Sequence, residues 1–404
     1  MKVLILSQWF EPEPFLKGVP FAKALIELGY DVEVLTGFPN YPSGKLYPGY
    51  RLLPFCREKV SGIDVIRVAL YPNHGTMGLK RILNYVSFMF SGMLFGPLLV
   101  SKPDIVYVYN LPTAAACAKV IGFFSRSKVI VDVQDLWPES VTRSGMMKFK
   151  PAIWLLHKIC DYIYNKADHL IVQSPGFKRA LEQRGVKSSR ISVIYNWCQE
   201  LIPSIPEINS TGSLFMNKEH SFFNIVYAGT MGRLQALDSV LDAACLVWVQ
   251  CPAIQFWFIG DGTEFGHLQG RVIQENIQNV KFVSRVTESE ISRVFQHADA
   301  LLVHLKKDPV FEVTIPSKIQ GYLYAGCPII AGIRGDAAEL ILQSGGGLLC
   351  DPEDPSSIAE AVRRMKALDV QERKKMGERG RQFYFQKLSM RAGVEAISRV
   401  FKQI

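Results

Sequence analysis

Short apolar runs alternate with helical stretches through residues 1–200, break off at a polar tract, and begin again. Residues 3–7, 32–36, 65–68, 105–109, 129–133, 170–173 and 191–195 are such runs, rich in Val, Ile, Leu and Tyr. Most are separated by segments of helical pattern, for example residues 20–28, ended by Gly29. Strands that alternate with helices must pair in parallel, because a parallel return needs a long crossover. Residues 201–220, LIPSIPEINSTGSLFMNKEH, are rich in Pro, Ser and Asn and read as a linker. Beyond them strands are expected at 224–228, 255–259, 280–282, 300–304 and 328–331, with helices at 237–249 and from Glu288. A chain of 404 residues exceeds what one hydrophobic core usually organises. The expectation is an α/β protein of two doubly wound parallel-sheet domains facing a cleft, over residues 1–200 and 221–382. Its ligands should lie at the carboxyl ends of the strands.

Several chemistries are disfavoured by what is missing. FIGDGTEFG, residues 258–266, lacks the G-x-G-x-x-G spacing, and the first strand leads into Gln8-Trp9-Phe10 rather than glycines, so hydride transfer is not expected. No Gly-rich Lys-Ser/Thr loop suggests ATP-driven chemistry, and no D-x-D triplet suggests a metal on a nucleotide. The eight cysteines form no C-x-x-C pair and read as reduced packing residues of a cytosolic protein. The N-terminal MKVLILSQWFEPEP reads as a first buried strand, not a signal peptide. Of seven histidines, only His304, at a strand end, merits attention.

Two segments of the second half carry candidate chemistry. In YAGTMGRLQALD, residues 227–238, Gly229 and Gly232 let the backbone turn closely round a ligand, and Arg233 offers a forked donor for phosphate. In FEVTIPSKIQGYLYAGCPIIAG, residues 311–332, an apolar strand end is expected through Ile315 and Pro316, then Ser317 as a helix N-cap with Lys318 beside it. A helix start with a lysine is a seat for a diphosphate. Arg233 and Lys318 would together offset charge developing on a leaving nucleoside diphosphate.

YAGTMGRLQALDSVLDAA, FIGDGTEF, FVSRVTESEI and TIPSKIQGYLYAGCPIIAG resemble, in order and spacing, family 4 retaining glycosyltransferases. So do QWFEPEP…GVPFAKALIELGYDVEVLTG, VDVQDLWPES and ISVIYNW in the first half, and the resemblance covers nearly the whole chain. It implies the GT-B arrangement of two Rossmann-like domains. The nucleotide-sugar donor would bind the C-terminal domain and the acceptor the N-terminal one, with a terminal helix near 383–404 crossing back. DLWPES and TIPSK-x-Q most resemble the branch holding L-fucosamine transferases of bacterial surface-polysaccharide assembly. The resemblance makes Arg233, Lys318, Glu312 and Asp135 the catalytic candidates. Gly229, Gly232, Thr314, Ser317 and Gln320 join Arg233 and Lys318 around the nucleotide, and Gly18, Gln134 and Glu139 around the other substrate. The chain departs from the family pattern at two glutamate positions, where Val313 and Gly321 stand. Glu312 and Gln320 lie one register earlier, and Gln235 replaces a lysine usual after the arginine. A histidine that meets the sugar 6-hydroxyl is replaced by Gln134, which suits a 6-deoxy donor such as UDP-N-acetyl-L-fucosamine.

Charge and apolar segments point to a surface. Residues 1–200 hold 24 Lys and Arg against 15 Asp and Glu, which accounts for the whole net charge of +9. No nucleic-acid motif accompanies them, so solubility or an anionic membrane are the readings, and nucleic acid is not expected. Residues 82–101 carry no charge and reach the length of a short span. Residues 146–166 mix lysines with Met, Trp, Leu and Tyr. Both could be buried, or lie in a membrane plane. The expected protein moves a sugar, without a metal or other cofactor, from a nucleoside diphosphate to a lipid-linked saccharide. It would sit in the cytoplasm, peripheral on the inner face of a bacterial membrane. A nucleotide-sugar epimerase on the same fold and a non-enzymatic assembly scaffold are the alternatives.

Overall fold

The structure is a computed structural model and describes residues 1–74, 78–143, 149–200 and 222–404. The expected linker at 201–220 and the first residues of the basic segment, 146–148, lie outside the described residues. The chain forms two compact units, Met1–Tyr195 with Gly393–Ile404, and Asn196–Ala392.

The first unit is built on eight strands: β1 Lys2–Leu6, β2 Asp31–Gly37, β3 Phe55–Val60, β4 Ile63–Val68, β5 Ile105–Tyr109, β6 Lys128–Val133, β7 His169–Val172 and β8 Ile191–Val193. They lie in the order β3-β4-β2-β1-β5-β6-β7-β8. All neighbours are parallel except β3, which pairs antiparallel with β4. Residues of β1 and β5 are almost entirely buried, as the continuous apolar runs demand of strands covered on both faces. The β3–β4 hairpin was not anticipated. FCREKV carries three charges in a row and alternates exposed with half-buried positions, as an edge strand does, and Ser61-Gly62 closes the turn with φ of 51° and 89°. The strand order reverses between β1 and β5, so the loops after these strands flank the switch point.

The chain's last helix, Met390–Gln403, places Val394, Ile397 and Phe401 inside and belongs largely to this first unit. Tyr30 Oη lies 2.7 Å from Ser398 Oγ, and the Phe401 ring stands edge-on to both Tyr30 and Tyr107.

The second unit has six parallel strands: β9 Phe223–Ala228, β10 Ile254–Ile259, β11 Val280–Val283, β12 Ala300–His304, β13 Ile329–Gly332 and β14 Gly347–Cys350. Their order is β11-β10-β9-β12-β13-β14, with the switch between β9 and β12. Helices Asp238–Gln250 and Pro355–Ala367 cover one face through Val240, Leu241, Ile358 and Val362. Helix Ser317–Ala325 buries Ile319, Tyr322 and Leu323. β14, only GLLC after the Gly345-Gly346 turn, was not among the expected strands. Residues 313–316 form no strand. Pro309–Glu312 is a short helix capped by Asp308, and an irregular stretch follows it.

Candidate functional site

The loops after β9 and β12 meet at the second unit's switch point. Gly229 follows β9, and its φ of 124° is open to glycine at little cost. A Cβ there would lie 2.8 Å from Lys318 Cε, so the lysine stem needs that space. A Cβ on Gly260 would strike the Gly229 carbonyl oxygen at 2.2 Å, which shows how closely the loops after β9 and β10 pack. Gly229 N–H donates to Ile259 O and Met231 N–H to Asp261 O, fixing the loop's path.

Helix Ser317–Ala325 does not start as expected. Pro316, with φ −62° and ψ 136°, is its N-cap, and Ser317 is the first helical residue with no capping bond from its hydroxyl. Proline holds the φ that precedes a helix, so the extended chain ends there and the turn begins one residue later. Lys318 follows in the first turn, where N–H groups lack partners within the helix. Its ammonium is buried, has no hydrogen-bond partner among the described residues, and lies 3.6 Å from the Tyr227 ring centroid. Burial pulls its pKa down to about 7. Tyr227 comes from β9, and its hydroxyl donates to Thr230 O, so the ring is locked under the lysine.

Arg233 begins the turn Arg233–Gln235 on the same loop. Its side chain is 89% exposed and pairs with Glu264 at 3.2 Å. The turn is tied from behind. His304, at the end of β12, is buried between Gln235 O, 2.7 Å from Nδ1, and Glu353 N–H, which donates to Nε2 at 3.0 Å. Since Nε2 accepts, Nδ1 carries the proton, and the imidazole is a neutral strut and not an acid or base. Lys306 N–H adds a bond to Leu234 O. Gly232 N–H donates to Gln235 Oε1, so Gln235 supports the loop where a lysine was the family norm.

The remaining candidates of this unit are more peripheral. Glu312 is exposed at the end of its short helix. Thr314 Oγ1 donates to Val310 O. Gln320 is buried, and with its amide turned to donate, the nitrogen reaches Pro316 O at 2.8 Å and Ser317 O at 3.0 Å. It braces the helix start that carries Lys318.

In the first unit the candidates sit on the loops after β1 and β6. A Cβ on Gly18 would meet Glu11 Oε1 at 2.3 Å, because that carboxylate accepts the Val19 N–H at the start of helix Val19–Glu27. Gln134 Nε2 donates to Asp132 Oδ1 at 2.5 Å, and its backbone oxygen accepts from Gln173. Asp132 also takes the fully buried Lys17 ammonium and the Tyr107 hydroxyl. That buried pair binds the loop after β1 to the end of β6, and no local motif announced it. Asp135 is exposed, and among the described residues its carboxylate has no hydrogen-bond partner, so it is not the helix cap it could have been. Glu139 lies 3.6 Å from Arg184, which also bonds Asp161 and the Trp137 carbonyl. Glu13, overlooked in the sequence, accepts N–H groups of Phe10, Asn40 and Tyr41, and burial raises its pKa to about 7.

Residues 20–197 match a glycosyl transferase 4-like domain, and residues 223–367 match the glycosyl transferases group 1 domain. With the two parallel-sheet units, these matches make the chain a GT-B glycosyltransferase. Among its relatives, WbjE of Pseudomonas aeruginosa, named a probable glycosyltransferase, is 26% identical over 70% of this chain and 72% of its own. WcaI of Escherichia coli (strain K12), named for colanic acid biosynthesis, is 23% identical over 90% of this chain and 92% of its own. Anabaena Alr3699/HepE, solved with UDP and glucose, superposes with a TM-score of 0.65 at 16% identity and covers both chains fully. An Escherichia coli structure titled for trehalose-6-phosphate, bound with UDP-2-fluoro glucose, gives 0.73 at 13% identity over 100% of this chain and 99% of its own.

Proposed function

We propose that the protein is a retaining glycosyltransferase that moves a sugar from a UDP donor to a lipid-linked saccharide in bacterial surface-polysaccharide assembly. The observation that carries the donor half is the buried Lys318 ammonium, without a hydrogen-bond partner among the described residues, set at the strand switch beside glycine turns. A buried cation in want of an anion is costly until one arrives. The β-phosphate of a nucleoside diphosphate meets that need, with Arg233 as a second cation from the loop after β9. Structural neighbours solved with UDP and UDP-glucose support UDP as the nucleotide. The name of the colanic acid relative supports the polysaccharide setting. The sugar we favour is N-acetyl-L-fucosamine, because Gln134 is committed to Asp132 and leaves the 6-position without the family's histidine. The chemistry is metal-independent, with the two cations in the metal's place.

The acceptor half of the reading places the protein on the cytoplasmic face of a membrane. Helix Gly78–Leu99 is long and apolar enough to cross one, but it turns one stripe inward: Asn84, Tyr85, Phe88, Gly92 and Gly96 are buried. Asn84 donates to the Tyr71 carbonyl, and a Cβ on Gly92 would meet Cys117 Sγ at 2.6 Å. These contacts tie the helix to its own domain. Its opposite stripe, Leu79, Leu83, Phe90, Leu94 and Leu98, is exposed. Helix Pro112–Ser125 adds exposed Phe123 and Phe124, and helix Lys150–Lys166 adds Trp154, Leu155, Ile159 and Tyr162 among its lysines. Apolar rings and leucines set among basic side chains suit the headgroup region of an anionic leaflet.

The test is a thermal-shift screen of the purified chain against nucleotide sugars, followed by transfer assays with membrane lipid extract. UDP and one UDP-sugar should stabilise the protein, by about 2.7 kcal/mol at a hundredfold excess over Kd. Isomerisation of the free sugar nucleotide without transfer would replace this reading with an epimerase. Binding without turnover across all donors would leave a scaffold.

A further inference from the structure

Helix Ser317–Ala325 carries a glycine that its own fold does not ask for. Gly321 stands in the middle of the nine residues, in regular helical backbone and half-exposed. Glycine weakens a helix interior relative to alanine, so it is kept there for a positive φ or for close packing. Neither reason applies. Its φ is not positive, unlike that of Gly326, which ends the helix at 71°. A Cβ built on Gly321 would meet no atom within 4 Å among the described residues. The helix's other face is different: a Cβ on Gly346 or on Gly380 would lie 2.9 Å from Leu323 Cδ2.

The side that Gly321 opens is the side of the diphosphate seat. Gly321 lies three residues beyond Lys318 and four beyond Ser317, which puts it beneath them, one turn further along the helix. The side chains nearest in sequence are engaged elsewhere. Tyr324 packs its ring on Tyr384 and Phe385, at 5.4 and 5.9 Å between centroids. Gln320 is 2% exposed, and its amide nitrogen is held by Pro316 O and Ser317 O. Thr314 gives its hydroxyl to Val310 O. One turn of helix backbone is therefore bare beside the buried Lys318 ammonium. A glycine with no internal reason to be there marks the close approach of something outside the chain. Two groups flank the diphosphate of a nucleotide sugar. The transferred sugar must stay where an acceptor reaches it, at the strand ends. The helix runs back from those ends, so the group lying one turn along it, about 5.4 Å from the phosphate seat, is the ribose.

We infer that the ribose lies flat on bare backbone at Gly321, and that the donor site therefore takes 2′-deoxyribonucleoside diphosphates as readily as ribonucleoside ones. A ribose diol is read by a side chain that accepts its hydroxyl protons, in many dinucleotide sites a carboxylate. At Gly321 a hydrogen stands where that side chain would be, and the helix carbonyls already bond within the helix. The ribose is held by shape and by the phosphates attached to it. Losing the 2′-hydroxyl costs little there, whereas added carbon on the helix takes the ribose's own place. The inference rests on the donor reading proposed above and widens the class of nucleotide that this site accepts.

The experiment titrates UDP and dUDP into the full chain by isothermal calorimetry. The wild type should bind the two with Kd values within about threefold of each other. A carboxylate on the 2′-hydroxyl would separate them by about tenfold or more. Gly321→Ala and Gly321→Leu should weaken both nucleotides together, by about threefold and by more than about tenfold, because each overpacks the ribose. Gly321→Ala should also melt about 2–4 °C above the wild type, since it improves the helix. Affinity lost while stability is gained separates a ligand contact from a merely structural glycine. UDP bound about tenfold or more tighter than dUDP by the wild type overturns the inference, and so does wild-type UDP affinity in Gly321→Leu. Both results leave the donor reading standing. A wild type that binds neither nucleotide sinks the donor reading, and this inference with it.

Discussion

Lys318 Nζ lies 3.6 Å from the centroid of the Tyr227 ring, and that ring is its only close partner of any polar kind among the described residues. The two side chains come from opposite sides of the β9–β12 switch, one from the strand and one from the first turn of a helix. A cation on a π face in a dry site is held but not neutralised. Burial therefore lowers its pKa to about 7.

This sets a pH dependence for donor binding. Below pH 7 the free protein already carries the ammonium. Above it, a bound diphosphate must draw a proton onto Lys318. The Kd for UDP should thus rise as pH increases through 7 to 9, by at most about tenfold per unit for one proton. Lys318→Arg keeps its charge throughout and should flatten the slope. Isothermal titration in two buffers of different ionisation heat reads both the affinity and the proton uptake. A UDP affinity flat from pH 6.5 to 9 in the wild type would exclude Lys318 from the diphosphate site.

Turnover gives a second check. Lys318→Ala and Arg233→Ala should each lower kcat by about two to three powers of ten, the usual loss of a donor to developing charge. Arg233 is exposed and, among the described residues, its side chain pairs with Glu264 alone, so its variant should melt as the wild type does. Near-normal kcat in either variant takes that residue out of the mechanism.

The sequence made some of this legible and hid the rest for physical reasons. Strands buried on both faces read as unbroken apolar runs, so β1, β5, β6, β9, β10 and β12 could be located within a residue or two. β3 could not, since FCREKV at a sheet edge has the composition of a loop. The loop glycines and Arg233 stood out because their spacing is local. Tyr227 under Lys318 and Lys17 against Asp132 did not. Each joins residues that only the strand order makes neighbours, and nothing in either segment alone marks the pair.

His304 predicts an acid response. Its folded pKa is lowered, first by burial, from 6.5. A neutral buried histidine contributes its full stability above the unfolded value and loses it as pH falls below 6.5. Protonation would also break the Glu353 N–H bond to Nε2 and loosen the turn that carries Arg233. Melting temperatures at pH 7.5 and 5.0 should therefore differ more for the wild type than for His304→Leu, although His169 and His74 add to the slope in both. Equal slopes would mean that the strut does not titrate in this range.

Chelation supplies a further test. If Lys318 and Arg233 neutralise the leaving diphosphate, turnover should persist in excess EDTA. Added magnesium or manganese should change kcat less than twofold, since fixed cations already occupy the metal's role. Complete loss with EDTA, restored by either ion, would contradict the proposed chemistry.

The membrane reading makes a prediction in two separable parts. Lysines near an anionic leaflet are worth on the order of 1 kcal/mol each, and this attraction fades with salt. Insertion of Phe90, Leu94 and Trp154 is apolar and does not fade. Full-length protein should pellet with vesicles rich in anionic lipid, bind neutral vesicles weakly, and be loosened but not released by 1 M salt. Lys150→Glu with Lys158→Glu should abolish capture by anionic vesicles, because two attractions become two repulsions on helix Lys150–Lys166. Phe90→Ser with Leu94→Ser should keep low-salt capture but make it fully reversible by salt, because both residues lie on the exposed stripe, 62% and 63% accessible. Resistance to alkaline carbonate would instead indicate that helix Gly78–Leu99 spans the bilayer, against its buried Asn84. Unchanged binding in both double variants would mean that neither helix is the contact surface.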